Sequence, residues 1–183
     1  MLLYRVFPHL PFADPGEPGH PLYLSARQGS GRWDNPELYQ LSYLAHSPEG
    51  AIGEAFGMIS RWVPGMLAFP ELPGATRRLG VYSVDEETHP CLDLDDSRAL
   101  GERGLRPTDV VVRNRPKTQA ISARVFREDR WSGVQWWSHQ RPQRTLCAIW
   151  DRGALAFSHA EDLVGHPGLA DAARELAKER DRI

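Results

Sequence analysis

The sequence predicts an α+β fold in which helices flank a mixed, mostly antiparallel sheet. Short segments rich in β-branched and aromatic residues outnumber the helical segments, and the two kinds do not alternate regularly as they do in a doubly wound parallel fold. The chain has 183 residues, of which 41% are hydrophobic, so it can bury a core without disulfides or metal ions. We therefore expect residues 1–183 to form a single domain.

Seven segments have the length and composition of strands and are bounded by turn-forming residues. They are residues 3–7, 22–25, 41–45, 79–84, 110–113, 134–137 and 146–150. Clusters of proline and glycine predict loops over residues 12–21 and 63–74.

Four segments are predicted to be helical. The clearest follows Ser47, because serine caps helix N-termini and Pro48 suits the first turn; apolar residues then recur at helical spacing over 51–59. The others cover residues 93–103, 118–128 and 169–180. The last belongs to a charged, amphipathic C-terminal segment over about 160–183, which we expect to pack on its own domain.

The overall composition excludes several functional classes. The chain carries 22 Lys and Arg against 24 Asp and Glu, whereas proteins that coat nucleic acid or anionic membranes have a basic excess. Neither a signal peptide nor a membrane span is apparent in the sequence. Cys91 and Cys147 lie far apart in apolar stretches and are predicted to be buried thiols in a reducing cytosol. These features predict a soluble, cytoplasmic protein that binds neither membranes nor nucleic acid directly.

The segment 29–36 (GSGRWDNP) has the composition of a ligand-binding loop. Its two glycines allow close approach of the backbone, Arg32 could hold a phosphate in bidentate fashion, and Trp33 could stack on a flat ligand. The alternative is a surface turn in which Arg32 pairs with Asp34.

Two further polar groups lie next to apolar surfaces. Glu54 is at the edge of the apolar face of the helix after Ser47, where its carboxylate could point into a cleft or simply reach water. Ser138 ends the segment 131–138, which has three tryptophans within seven residues. This strand could be part of the core, or it could line a pocket and present the hydroxyl to a ligand.

Other common sites are not predicted. Ser138 and His139 are adjacent on a strand and face opposite sides, and the chain lacks the G-x-S-x-G motif of many serine hydrolases. The seven histidines do not have metal-ligand spacing, and the common glycine-rich phosphate loops are absent. We predict no metal and no bound cofactor.

Taken in order along the chain, these segments resemble the RES domain family, named for its Arg, Glu and Ser. Residues 3–6 (LYRV) resemble its opening strand, 31–36 its Gly-Arg-Trp-Asn segment, 41–54 its strand-to-helix step with the Glu, and 133–138 the segment that ends in the Ser. Residues 92–94 and 118–120 resemble later landmarks. The resemblance covers about residues 3–151. It departs from the family at Asp34, which separates Trp33 from Asn35, whereas the Trp and the Asn are often adjacent in the family.

The resemblance implies a function and a set of site residues. RES proteins are commonly toxins of bacterial toxin–antitoxin pairs that degrade NAD+ at the nicotinamide–ribose bond, and their fold is similar to that of ADP-ribosyltransferase toxins. NAD+ is then the substrate, and an Xre-type antitoxin protein that blocks the active site is the partner. By position, Arg32, Glu54 and Ser138 would be catalytic, and Arg32, Tyr43 and Trp33 would bind NAD+.

Several alternatives stay open at this point. An ADP-ribosyltransferase would need an acceptor-recognition loop, for which residues 62–80 are the candidate. A non-enzymatic NAD-binding module and a glycosidase that pairs Glu54 with Asp34 are the other two. The sequence does not decide between water and phosphate as the attacking group, and it leaves homo-oligomers open.

Overall fold

A computed structural model describes residues 1–181, which contain nine strands and five α-helices. In chain order these are β1 (Leu2–His9), β2 (Ser42–Ala45), α1 (Pro48–Phe56), β3 (Arg61–Trp62), β4 (Thr76–Ser83), β5 (Cys91–Asp93), α2 (Ser97–Glu102), α3 (Pro107–Val111), α4 (Arg115–Phe126), β6 (Gly133–Trp137), β7 (Thr145–Ile149), β8 (Ala156–Asp162), α5 (Pro167–Glu175) and β9 (Glu179–Arg180).

Seven of the strands form one sheet, in the order β5-β6-β7-β2-β1-β4-β8. Only β5 and β6 are parallel, and every other neighbouring pair in this sheet is antiparallel. β3 and β9 form a separate parallel pair. The predicted α+β class with a mixed, mostly antiparallel sheet is confirmed.

The sheet is weakest in its middle, between β1 and β2. β1 pairs with β4 along its whole length, from Leu2 opposite Ser83 to His9 opposite Thr76. It pairs with β2 only where Tyr4 lies opposite Ala45. The sheet therefore has two halves that share one residue pair, which leaves backbone and side chains of both strands accessible beside that pair.

Apolar residues are buried on both faces of the sheet, as strand alternation requires. The larger cluster contains Trp33, Ile52 and Trp136 and includes the buried sides of α1, α4 and α5. The smaller cluster, on the opposite face, contains Leu3 and Cys147. The helices thus cover one face, and the site described below lies on that side.

Most predicted elements are confirmed, with shifted ends. The five strands predicted over 3–7, 41–45, 79–84, 134–137 and 146–150 correspond to β1, β2, β4, β6 and β7. Ser47 caps α1 by accepting a hydrogen bond from the Gly50 amide. α4 begins at Arg115, three residues before the predicted start, because Asn114 caps it and Pro116 occupies its first turn.

Two predicted strands are wrong. Residues 22–25 are not a strand, since the Tyr23 and Leu22 amides bond back to the carbonyl and the side chain of His20. The valines over 110–113 predicted a strand, but Val110 lies in α3. There Pro107 starts a helical turn and Asp109 accepts a hydrogen bond from the Arg106 amide. Local capping outweighs β-propensity in this segment.

Four strands are absent from the prediction, namely β5 and β8 of the large sheet and the short pair β3 and β9. β5 occupies the start of the helix predicted over 93–103, and α2 begins only after the Asp96 cap. β8 occupies residues that include the start of the segment predicted as helical over 160–183. α5 ends at Glu175, and Ala177 has a left-handed backbone (φ 50°) before β9. Residues 182 and 183 of the predicted segment lie outside the described residues.

Cys91 and Cys147 are both free thiols, and Cys147 is buried. Burial raises the pKa of Cys91 to about 11 and that of Cys147 further. In the described part of the chain, none of the helices is both long enough and apolar enough to cross a bilayer.

Candidate functional site

A cleft of about 310 Å³ lies where β1 and β2 share their single residue pair. Residues of β1, β2, α1, β6 and β7 line this cleft, among them Tyr4, Val6, Tyr43, Glu54, Trp136 and Leu146. Its volume is at the lower end of the range of about 300–1,000 Å³ that is typical of ligand pockets. Glu54 is the one acidic residue among the lining residues of this cleft in the described chain.

Ser138 orients the Glu54 carboxylate from outside the cleft. The Ser138 hydroxyl donates a hydrogen bond to Oε1 of Glu54 at 2.6 Å and accepts one from the Gln140 amide at 3.1 Å. Ser138 is only 3% exposed and does not line the cleft, whereas Glu54 does. The structure brings two of the predicted site residues together and gives them different positions, since only Glu54 lines the cleft.

Asp34 organises the loop that carries Arg32. Its Oδ2 accepts hydrogen bonds from the Gly29 and Gly31 amides at 2.7 Å each, and its Oδ1 accepts one from the Tyr43 hydroxyl at 2.8 Å. A Cβ atom at position 31 would collide with Tyr43 and Asp34, so this position requires glycine. The alternative in which Asp34 pairs with Arg32 is therefore wrong.

The same contacts bear on the glycosidase alternative. Asp34 is 5% exposed, is occupied by three donors and does not line the cleft. A glycosidase needs a second carboxyl group that can reach the scissile bond. Glu54 has no such carboxylate partner among the residues lining the cleft.

Tyr43 contributes its ring rather than a reactive hydroxyl. The hydroxyl accepts a hydrogen bond from the Trp33 amide at 2.9 Å while it donates to Asp34. Burial, above all, raises the pKa of Tyr43 far above its usual value. The phenol therefore stays protonated, and its ring lines the cleft beside Trp136, with an edge-to-face centroid distance of 6.3 Å.

The prediction that Trp33 stacks on the ligand is wrong. Trp33 is 0% exposed and is absent from the lining of the cleft. Its ring packs edge-to-face on Trp136, with the centroids 5.4 Å apart. Trp136 is thus the indole that faces the cleft, and Trp33 supports it from below.

Arg32 is fixed beside the cleft rather than inside it. Its Nη1 donates hydrogen bonds to the carbonyls of Val110 at 2.7 Å and Val112 at 2.8 Å. Burial and then the charge of Arg115 lower its pKa, whereas Tyr43 and Glu54 raise it. The guanidinium is therefore close enough to the Glu54 carboxylate to interact with it electrostatically.

Several residues of this region escaped the sequence analysis. Tyr4 and Val6 line the cleft from β1, and strand alternation would have placed them on one face had the pairing of β1 been known. Arg5, between them, also lines the cleft, and burial lowers its pKa. Gln119 donates hydrogen bonds to the Gly29 and Gly31 carbonyls at 2.9 Å each. Gln119 could have been recognised as a site residue from the sequence, because it lies in the segment 118–120 that resembles a landmark of the RES domain family.

Some predicted features lie elsewhere. Residues 62–80, the candidate acceptor loop, contribute none of the residues that line the cleft. Among residues 1–181, no group of three or more His, Cys, Asp and Glu side chains is arranged to hold a metal ion. The arrangement can thus hold a flat ring against an aromatic wall, with a carboxylate on one side and a guanidinium nearby.

Comparisons with known proteins place the chain in a family with this fold. The chain is similar over 97% of its length to a chain in the crystal structure of the M. tuberculosis MbcT–MbcA toxin–antitoxin complex, with a TM-score of 0.62 and 20% sequence identity, and it covers 89% of that chain. At this identity the similarity shows a shared fold. A search of curated proteins found no match. The family model described as RES domain matches residues 2–169, so the chain belongs to the RES domain family.

Proposed function

We propose that this protein cleaves the nicotinamide–ribose bond of NAD+ and acts as the toxin of a bacterial toxin–antitoxin pair. The observation that carries the proposal is the Glu54 carboxylate, which Ser138 fixes within an aromatic cleft next to the Arg32 guanidinium. Membership of the RES domain family supports it.

The chemistry of the bond determines what such a site needs. When the C–N bond breaks, its electron pair goes to the ring nitrogen, so nicotinamide leaves as a neutral molecule and needs no proton. Positive charge then develops on the ribose, and a fixed carboxylate stabilises it. An oxygen of water or phosphate completes the reaction by bonding to the ribose carbon, with a proton released when water attacks.

The residues in and beside the cleft have separate roles in this reaction. Oε1 of Glu54 is held by Ser138, and Oε2 has no hydrogen-bond partner among the described residues, so it is free to accept from a ribose hydroxyl or the attacking water. The rings of Tyr43 and Trp136 hold the nicotinamide, because both line the cleft. Arg32 binds the phosphates with the donors that its two carbonyl contacts leave free.

A toxin of this kind requires a partner that holds it inactive. The similar structure is that of a toxin–antitoxin complex, and the family resemblance implies an Xre-type antitoxin. We therefore expect expression of the chain to arrest growth of a bacterial host and lower its NAD+ content. Co-expression of the protein encoded by the adjacent reading frame should relieve both effects.

The test is release of nicotinamide from NAD+ by the purified protein. We predict that Glu54→Gln lowers kcat by about 10²–10³-fold, since loss of one preorganised polar group typically costs about 2.7–4 kcal/mol. Glu49→Gln is the matched control, because this residue lies on the same helix but outside the lining of the cleft. Adding phosphate and identifying ADP-ribose or its 1″-phosphate separates hydrolysis from phosphorolysis.

Two outcomes would contradict the proposal. Equal rates for Glu54→Gln and the wild type would remove Glu54 from the mechanism. Saturable binding of NAD+ without any product over hours would indicate a binding module, and labelling of an added protein instead of release of free ADP-ribose would indicate a transferase.

A further inference from the structure

A second cavity, of about 460 Å³, lies on the face of the sheet opposite the cleft. Ile149 and Leu155, which line it, belong to the smaller core cluster on that face. Ser42 lies opposite Ile149 in the pairing of β2 with β7 and also lines the cavity. The next residue, Tyr43, lines the cleft, so the alternation of side chains along β2 places the two sites on opposite faces of one strand.

The outer wall of the cavity is the loop between β1 and β2. Five residues of this loop line the cavity, namely Pro15, Gly16, His20, Leu22 and Leu24. The Tyr23 amide donates a hydrogen bond to the His20 carbonyl at 3.0 Å, which forms a turn in the wall. The buried Tyr82 hydroxyl donates to the Pro21 carbonyl at 2.9 Å. The loop is thus tied to β4, which fixes the wall over the sheet.

The size and lining of the cavity are those of a ligand pocket. Protein interiors contain few voids larger than a water molecule, whereas pockets for small molecules typically measure about 300–1,000 Å³. Most of the lining side chains are apolar, among them Leu22, Leu24, Ile149 and Leu155. A hydrocarbon group in this space would remove their surface from water, which favours binding.

Two polar side chains line the cavity, and each has hydrogen-bonding capacity left over. Ser42 is only 6% exposed, and its hydroxyl has no hydrogen-bond partner among residues 1–181. Buried polar groups are normally paired, so this hydroxyl requires an explanation. Nδ1 of His20 accepts a hydrogen bond from the Leu22 amide at 3.1 Å, so the ring is the neutral tautomer with its proton on Nε2. The cavity therefore offers two donors, the Ser42 hydroxyl and the His20 Nε2–H.

The absence of charge around the cavity determines which ligand suits it. None of the lining residues in the described chain is Asp, Glu, Lys or Arg, and burial of an ion without a counter-charge is costly. A neutral carbonyl oxygen has two lone pairs and can accept from both donors. We propose that this cavity binds a neutral, mainly apolar carbonyl compound of the amide type. Binding there is independent of NAD+ cleavage, because the cavity and the cleft share no lining residue within 1–181.

Titration of the ¹⁵N-labelled protein with octanamide, followed by NMR, tests the site without any turnover. We expect saturable shifts of the backbone amides of Leu24, Ser42 and Leu155, with those of Glu54 and Trp136 unchanged. Octanoate, an anion, and octylamine, a cation at neutral pH, have the same chain length and should bind at least tenfold more weakly. Shifts centred on the cleft, equal affinities for the three compounds, or no saturable shift up to the solubility limit of octanamide would overturn the proposal.

Two variants connect binding to the cavity. Leu24→Trp fills the space and should abolish saturable binding, and Ser42→Ala removes one donor and should weaken octanamide binding by about 2- to 10-fold. Ser132→Ala is the matched control, because this serine is also buried but does not line the cavity, and it should bind like the wild type. Wild-type affinity in both cavity variants would refute the site. If Leu24→Trp does not fold, the comparison of Ser42→Ala with Ser132→Ala decides, and equal affinities of these two would refute the site.

Discussion

Removing the Ser138 hydroxyl should lower the contribution of Glu54 to catalysis, although Glu54 itself is unchanged. The hydroxyl donates to Glu54 at 2.6 Å and is 3% exposed, so in Ser138→Ala no water can easily take its place. A hydrogen bond to a charged group contributes roughly 1.5–3 kcal/mol, which corresponds to about 10- to 150-fold in rate. We predict that kcat for nicotinamide release falls by this factor and that KM changes less than threefold, because Ser138 does not line the cleft.

The same substitution also weakens the turn after β6. The hydroxyl oxygen accepts hydrogen bonds from the amides of Gln140 at 3.1 Å and Arg141 at 3.4 Å. Loss of such hydrogen bonds typically costs about 1 kcal/mol of unfolding free energy, which urea denaturation will measure. Ser132→Ala is the matched control. Ser132 is also buried and lies just before the other end of β6, so it should lose stability with activity kept within twofold.

Ser138→Thr separates orientation from packing, since threonine keeps the hydroxyl. Recovery of most of the activity in this variant would attribute the loss in Ser138→Ala to the hydrogen bond. A Ser138→Ala enzyme with wild-type kcat, alongside an inactive Glu54→Gln, would refute the role of Ser138 in orienting the carboxylate.

Two further predictions concern stability. In the wild type, three donors bond to the buried Asp34 carboxylate, and in Asp34→Asn the side-chain NH₂ group must face at least one of these donors. The unfolding free energy should therefore fall by about 3 kcal/mol in urea denaturation. The exposed Asp14→Asn should lose less than 0.5 kcal/mol, and equal stability of the two variants would contradict the assigned network. Arg103 is the main cause that lowers the pKa of Glu128, from 4.5 to about 2. A carboxylate with a lowered folded-state pKa stabilises the protein above pH 4.5, and this contribution is lost as the pH falls toward 2. Glu128→Gln should therefore be about 1–3 kcal/mol less stable than the wild type at pH 7, with a difference that narrows below pH 4.5. Glu102→Gln, at a more exposed ion-pair partner, should change the unfolding free energy at pH 7 by less than about 1 kcal/mol. A pH-independent loss in Glu128→Gln would contradict the ion-pair explanation.

Elements that depend on neighbouring residues could be predicted from the sequence. Ser47 and Pro48 specify the start of α1, and the structure has the helix there with the Ser47 cap formed. The same local rule explains the wrong strand over 110–113. Pro107 and Asp109 start α3, and their capping signal should have been weighed above the β-propensity of the valines.

Elements that depend on distant partners could not be predicted in this way. β5 has only three residues and exists because β6, some forty residues later, pairs with it in parallel. β8 has a polar, largely exposed sequence and is a strand because it pairs with β4 at the edge of the sheet. Composition alone does not distinguish such segments from loops.

The same distinction between local and distant contacts applies to the site. The residue types were predictable from the family resemblance, but their positions depend on the sheet order. β6 pairs with β7 and β7 with β2, which leads into α1, and this order is what brings Ser138 to Glu54. The exchange of roles between Trp33 and Trp136 has the same origin, because burial of one indole beneath the other is a property of the packed sheet.

Backbone groups hold each of the polar site residues in place. Two carbonyls hold Arg32, two amides hold Asp34, and two amides hold the Ser138 hydroxyl that in turn holds Glu54. Backbone anchors of this kind form when the chain folds, so a substrate would not have to order these side chains when it binds. A preorganised site spends little binding energy on reorganisation, and more of it remains for the transition state. It follows that substitutions in the supporting contacts should lower activity even where they leave the groups that touch the substrate unchanged.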